Sequence, residues 1–254
     1  MTPAPHLLLI DAGNTRVKWA AASPHGQLRV AGDIATGEAT SAWASSLAQK
    51  HPKHNLIFAS VVPKLVPAIR RAFLNRVHVV TGNMPALGLD FDYPNPAEIG
   101  ADRLTAAVAA HDAGKWPVIV VQCGTATAFT VLDAKGRLCG GAIAPGLHTQ
   151  MAALLGATAQ LPTTKLHLPK NVLAKSTQEA ISAGVMLNFQ GGVREIIQQL
   201  SAALPGRKKP AVILTGGHAH HLTHSLNLPH TFRPLLVFEG LHIIGHRISS
   251  QNLC

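Results

Sequence analysis

The sequence predicts an α/β protein built as two like halves, and three observations carry that prediction. Strand-length apolar runs such as Asn55–Val62 and Pro117–Gln122 alternate with helical patterns along the chain. Leu7–Lys18, LLLIDAGNTRVK, reads as a buried strand, a tight turn and a returning strand. A second segment of the same design, PVIVVQ running into CGTATAFTVLD, begins at Pro117. The repeat is one of architecture, with little residue identity, and it divides the chain into residues 1–115 and 116–254.

In the first half the hairpin is followed by a strand at Gln27–Ile34 and an Ala/Ser-rich helix at Ala39–Gln49. A buried strand at Asn55–Val62 stops at Pro63, which cannot donate to a sheet ladder. Leu65–Leu74 has helical spacing and Val77–Thr81 reads as a short strand, before a loop rich in Pro, Gly, Asn and Asp at Gly82–Pro96. A helix follows. Asn95 as cap, Pro96 at the first helical position and Glu98 as capping-box partner set one start, and Gly100 sets another.

In the second half, Ala134-Lys135-Gly136 turns the chain into a third strand, RLCGGAIAPG. Helices are expected at His148–Leu155 and Thr177–Leu200, and a strand at Ala211–Thr215. A glycine pair, Gly216-Gly217, follows that strand. A short strand near Leu235–Phe238 and a last helix from Gly240 complete the half.

Composition narrows the classes of function. At 254 residues with 47% apolar residues, the chain has enough to bury a substantial core. No apolar run reaches membrane-spanning length, and MTPAPHLLLI lacks the basic region and cleavage site of a signal peptide, which argues for a cytoplasmic protein with no membrane partner. Three cysteines, Cys123, Cys139 and Cys254, have no metal-binding spacing and suit a reducing compartment. Lys and Arg exceed Asp and Glu by 22 − 12, or +10, which suits nucleic acid, anionic substrates or solubility alone. The basic residues are scattered and aromatics are only 4%, so neither the charged stripe nor the stacking platform of a nucleic-acid reader is present. The histidine run His218–His224 lacks accompanying Cys or carboxylate and reads as a loop rather than a zinc site.

The opening turn carries the chemistry. A nucleotide site needs close backbone N–H donors, amide or hydroxyl side chains for phosphate oxygens, and a carboxylate for Mg2+. Gly13, Asn14, Thr15 and Asp11 provide these in one turn. The same residues also make an ordinary turn with no ligand; the second hairpin favours the phosphate reading.

An ordered set of motifs then makes the resemblance specific. DAGNTRVK at Asp11–Lys18, ASVVP at Ala59–Pro63, YPNPAEIGADR at Tyr93–Arg103 and GTATAF at Gly124–Phe129 cover the first part. GGAIAPGL at Gly140–Leu147, STQEAISAG at Ser176–Gly184, TGG at Thr215–Gly217 and FEGL at Phe238–Leu241 follow. The chain resembles the type III pantothenate kinases, of the actin, sugar kinase and heat-shock ATPase superfamily. That resemblance implies two ribonuclease H-like (actin-like ATPase) domains with a nucleotide cleft between them. It also implies ATP-dependent phosphorylation of pantothenate, the first step of coenzyme A synthesis, by a homodimer.

By the same resemblance, ATP phosphates and Mg2+ are held by the Asp11-Ala12-Gly13-Asn14-Thr15-Arg16-Val17-Lys18 segment, with Thr125 of the second hairpin on the nucleotide, and Asp102 is the catalytic carboxylate. Pantothenate falls to Tyr93, Gly100, Ala101, Asp102, Arg103 and Thr177; read from the residues alone, Arg103 also has a reading as a helix-surface partner of Glu98. One position departs from the family. The second hairpin usually reads D-x-G-T, with the aspartate on a potassium or ammonium ion, and here Gln122 stands in its place. A neutral amide keeps a carbonyl oxygen and loses the charge. A rival reading, a regulatory or binding protein on the same scaffold with little turnover, follows from that loss and from the basic surplus.

Overall fold

A computed structural model describes residues 6–23, 27–158, 161–167 and 171–251; the readings of the first five residues and of Cys254 fall outside these. The described chain forms two compact units. The first comprises the residues up to Lys115 with Gly136–Leu138 and those from Leu235 onward. The second comprises Trp116–Lys135 and Cys139–Pro234. The chain therefore returns at its end to the unit in which it began, which a single division between residues 115 and 116 leaves out.

In the first unit β1 (Leu7–Ala12), β2 (Arg16–Ala22), β3 (Leu28–Ala35), β4 (Asn55–Ser60) and β5 (Val77–Val79) form one sheet in the order β3-β2-β1-β4-β5. The β1–β2 and β2–β3 pairs are antiparallel, while β4 runs parallel to both β1 and β5. Leu7, Leu8, Leu9 and Ile10 are all buried, so the central strand is covered on both faces and reads as a continuous apolar run. Leu8, Ile10, Leu56 and Phe58 join Leu47 of α1 (Ser41–Lys50) and Ile69 and Phe73 of α2 (Val66–Phe73) in one core.

Helices α3 (Ala101–Asp112) and α6 (Leu236–Gln251) pack against one another, and α6 also lies on β1 and β4. Their contact is close. A β-carbon on Gly240 of α6 would sit 1.8 Å from the Thr105 carbonyl oxygen, so only glycine admits this approach of the two backbones.

The second unit repeats the plan, with β6 (Val118–Cys123), β7 (Ala126–Leu132), β8 (Leu138–Pro145), β9 (Ala211–Thr215) and β10 (Thr231–Phe232) in the order β10-β9-β6-β7-β8. Hairpin strands β6 and β7 are antiparallel, and β9 runs parallel to β6 and β10. Ile119, Val121, Phe129 and Leu214 pack with Leu147 and Met151 of α4 (Leu147–Gly156) and with Ile181, Val185, Phe189 and Val193 of α5 (Thr177–Ala203). Two mixed five-stranded sheets of identical strand order are the two ribonuclease H-like domains that the sequence predicts.

Two local readings differ from the structure. Leu235–Phe238 does not form a strand; Leu236 opens α6, and the short edge strand is β10 upstream. A four-residue apolar run has no periodicity to separate the two states. The Asn95–Glu98 capping box does not form: Asn95 Nδ2 donates to Glu98 Oε1 at 2.8 Å, but the Asn95 side chain caps no backbone N–H, and the pair flanks a separate 3-10 turn at Pro96–Glu98. Helix α3 begins after Gly100, with no side-chain cap on its Ncap residue.

Candidate active site

In the first unit, the β1–β2 register sets Asp11 opposite Lys18, and the two-residue tip of Asn14 and Thr15 projects exposed beyond them. The tip is fixed from both sides. Gly13 N–H donates to the Arg16 carbonyl at 3.0 Å, and at the end of β3 the Thr36 N–H donates to the Thr15 carbonyl at 3.0 Å. Thr36 Oγ1 adds a bond to the Gly13 carbonyl at 2.7 Å. Exposed Arg16 pairs with Asp33 on the neighbouring strand, so its guanidinium is engaged within the sheet.

Asp102 sits in the first turn of α3, where its carboxylate accepts the backbone N–H groups of its own residue and of Arg103. Burial raises its pKa; those N–H bonds and the Arg103 guanidinium oppose the rise. Gly100 is the Ncap residue, and a β-carbon there would come within 2.8 Å of Asp102 Oδ1. Ala101 is buried and Arg103 half-buried on the same turn, while Tyr93 is half-buried in the preceding loop.

Asp102, ninety-one positions from Asp11 in sequence (102 − 11), is close enough for its charge to perturb Asp11. Burial, then the Asp102 carboxylate, push the Asp11 pKa up to about 7, against the pull of Lys18. Two carboxylates in one partly desolvated site resist joint ionisation. A cation would relieve that repulsion, and Mg2+ is commonly held by one or two carboxylates completed by phosphate oxygens and water. The donor set fits such an ion, and among the described residues no cluster of three or more metal-ligating side chains competes with it.

In the second unit the β6–β7 turn leaves Thr125 and Ala126 exposed, and it is clamped in the same manner as the first. Gly124 N–H donates to the Ala126 carbonyl at 3.0 Å, and Gly146 N–H donates to the Thr125 carbonyl at 3.0 Å. Thr149 Oγ1 reaches the same carbonyl at 2.5 Å. A β-carbon on Gly146 would lie 2.1 Å from the Gly124 carbonyl oxygen, so the loop before α4 rests directly on the turn.

Gln122 is buried in β6, between Ala128 of β7 and Thr215 of β9. The buried carboxylate among the described residues of this unit is Asp133, beyond the far end of β7, where it accepts the Lys135 N–H at 2.8 Å. The charge lost at Gln122 is therefore not restored by another buried carboxylate. Thr177 opens α5 behind its Ser176 cap and lines an apolar groove of about 500 Å³ with Leu154, Leu161 and Ile181. Asn188 Nδ2 donates to Gln150 Oε1 at 2.9 Å across the α4–α5 pair that walls this groove.

The clamp residues Thr36 and Thr149 escape the sequence reading, and Gly146 enters it only within GGAIAPGL, with no role of its own. Their signal was present. Ile34-Ala35-Thr36-Gly37 and Ile143-Ala144-Pro145-Gly146 both end the third strand of their sheets, an I-A-x-G echo between the halves.

Residues 7–199 match the family model for type III pantothenate kinase. The chain belongs to the type III pantothenate kinase family. Curated relatives agree: the type III pantothenate kinase of Methylacidiphilum infernorum is 34% identical over 94% of this chain and 88% of its own length. That of Rhodospirillum rubrum is 35% identical over 95% of this chain and 98% of its own. Among solved structures, a Campylobacter jejuni protein assigned to the Baf family of transcriptional activators superposes with a TM-score of 0.61. It is 18% identical and covers 98% of this chain and 100% of its own. The activator of 2-hydroxyisocaproyl-CoA dehydratase from Clostridium difficile, solved with ADPNP, gives a TM-score of 0.54 at 11% identity over 98% of both chains. At those identities the likeness extends to the fold. Among the described residues, no helix is long and apolar enough to cross a membrane.

Proposed function

We propose that the chain transfers the γ-phosphoryl group of ATP to the primary hydroxyl of pantothenate, giving 4'-phosphopantothenate and ADP. The observation that carries this reading, beside family membership, is the carboxylate pair Asp11–Asp102 at the base of a clamped hairpin. Asp102, with its pKa raised, is a better proton acceptor than an exposed aspartate, and Arg103 beside it suits the pantothenate carboxylate. The hydroxyl gives its proton to Asp102 as its oxygen bonds to the γ-phosphorus and the bond to the β-phosphate oxygen breaks. Tyr93, Gly100 and Ala101 line the acceptor side, and Thr177 contributes from its groove. Asp11, with Asn14, Thr15 and Lys18, holds the nucleotide phosphates and Mg2+; the ion, when bound, neutralises phosphate charge. The Ala12, Gly13, Arg16 and Val17 backbone shapes that segment, and Thr125 meets the nucleotide from the second hairpin. A cytoplasmic homodimer belongs to the same proposal, and light scattering decides the oligomeric part.

The test is pantothenate-dependent release of ADP by the parent and by Asp102→Asn. The variant replaces a charged acceptor with a near-isosteric amide, so kcat should fall roughly 100-fold or more while nucleotide affinity persists. Turnover within twofold of the parent would remove Asp102 from the mechanism. Gln122 favours one rival, a nucleotide-binding regulator on this scaffold. ADP binding by the parent without pantothenate-dependent turnover would select it.

A further inference from the structure

Tyr93 stands in a loop of the first unit that is fixed on both sides of it. Between β5 and α3 the chain makes 3-10 turns at Pro85–Leu87 and Pro96–Glu98. A β-carbon on Gly82 would lie 1.9 Å from the Pro96 carbonyl oxygen, so the two ends of the loop touch backbone to backbone. Arg247 of α6 donates through Nη1 to the Leu87 carbonyl and meets Asp112 of α3 at 3.5 Å.

The hold nearest to Tyr93 comes from Gly136–Leu138, which are part of the first unit. Leu138, the residue that opens β8, donates its N–H to the Asp90 carbonyl at 2.9 Å and accepts the Asp92 N–H on its own carbonyl at 2.9 Å. These are the two bonds of a parallel bridge in which Phe91 faces Leu138. The Leu138 side chain is fully buried, which ties the bridge to the packed interior. Arg137 adds an ion pair to Asp92, Nη2 to Oδ2 at 3.1 Å. On the other side of Tyr93, Pro94 fixes its own φ and disfavours the helical region for the residue before it. The backbone of Tyr93 is thus set from both neighbours.

We propose that Arg137 and the Leu138 backbone are positioning groups that hold Tyr93 for the acceptor, acting through Asp92 and not on the substrate. This rests on the reading that Tyr93 lines the acceptor side. The Arg137 and Asp92 side chains are 36% and 60% exposed, so the pair contributes little to stability and its loss leaves the fold in place. What changes is the range of positions open to Asp92, and with it to Tyr93. A side chain that roams in the free enzyme must be ordered when the acceptor binds, a cost that enters KM for pantothenate and not kcat.

The experiment compares the parent with Arg137→Ala, Arg137→Lys, Asp92→Ala and the charge exchange Arg137→Asp with Asp92→Arg, by steady-state kinetics and by fluorine NMR. Tyr93 is the only tyrosine in the chain, so fluorotyrosine labelling gives a single resonance that reports its surroundings without reference to activity. Arg137→Ala and Asp92→Ala should each raise KM for pantothenate about three- to fivefold, near the upper limit for an exposed pair, with kcat, KM for ATP and Tm little changed. Their fluorine resonance should shift or broaden, while Arg137→Lys and the charge exchange bring both readings back toward the parent. Unchanged KM and resonance in Arg137→Ala, where Tyr93→Ala raises KM for pantothenate, would overturn the positioning role and leave Tyr93 on the acceptor side. A fall in Tm with kcat and both KM values altered together would make the pair structural and overturn the role as well. Tyr93→Ala with an unchanged KM for pantothenate would instead overturn the reading of Tyr93, and the proposal with it.

Discussion

Asp11 is easy to read as a ligand and harder to read as a liability. Its pKa, near 3.8 in an exposed chain, stands at about 7 in the fold. The folded state therefore binds the proton more tightly than the unfolded state. Stability is fullest below about pH 4 as far as this group is concerned, and it is lost progressively as pH rises through 7. Asp11→Asn removes the penalty, so its Tm should exceed that of the metal-free parent by a few degrees at pH 8, with the gap narrowing at pH 5 and closing below about pH 4. Adding Mg2+ at pH 8 should then raise the parent and not the variant. Equal melting curves at both pH values would show that Asp11 is not strained by its surroundings.

Gln122 gives the second prediction at this scale. An amide contributes a dipole where a carboxylate contributes a full charge, so activity should depend little on millimolar potassium, and Gln122→Asp should create that dependence. The titration is run at constant ionic strength, with sodium replacing potassium. Saturable activation of the parent at low millimolar potassium would refute it. Asp11, Asp102 and Gln122 were singled out because each falls in a stretch that resembles a motif of the family. Thr36 and Thr149 were not, because their work is to hold carbonyls of residues 23 and 24 positions away, and such pairings leave no local pattern.

At the scale of elements, the hairpins were readable from turn residues and alternation, whereas Leu235–Phe238 was misread because four apolar residues suit either state. The start of α3 mattered more for the site than for the fold. Placing it after Gly100, and not at Pro96, sets Asp102 in the first turn, where free N–H groups meet its carboxylate. The α3–α6 crossing keeps that turn in place: Thr105 Oγ1 donates to the Ala101 and Asp102 carbonyls at 3.0 and 2.9 Å, and Gly240 lies on its backbone. Gly240→Val should push the helices apart, costing roughly 2 kcal/mol or more of stability. Its kcat should fall as well, through displacement of Asp102, with KM for ATP little changed. A variant that loses stability and keeps full kcat would show that the crossing does not position the carboxylate.

At the scale of the molecule, the hairpin and third strand that recur in the two sheets were visible in the sequence as a repeated design. The assignment of the last helix was not, because nothing local to Leu236–Gln251 says which sheet it covers. It lies on β1 and β4, where a β-carbon added to Gly245 would meet Leu7 at 2.6 Å and Ile57 at 3.0 Å. This has a consequence on the ribosome. The second unit has all of its strands once Pro234 has emerged, while the first, although translated earlier, still waits for the helix that covers one face of its sheet. At 5–20 residues per second, roughly ten to thirty seconds separate synthesis of β5 from that of α6, and throughout this interval Leu7, Leu9 and Ile57 have no cover from it. Arrested nascent chains of residues 1–234 followed by an unstructured linker that fills the exit tunnel should show a protease-resistant second unit and a digestible first, and release of the full chain should protect both. Protection of both units before α6 emerges would mean that the first sheet finds another cover on the way.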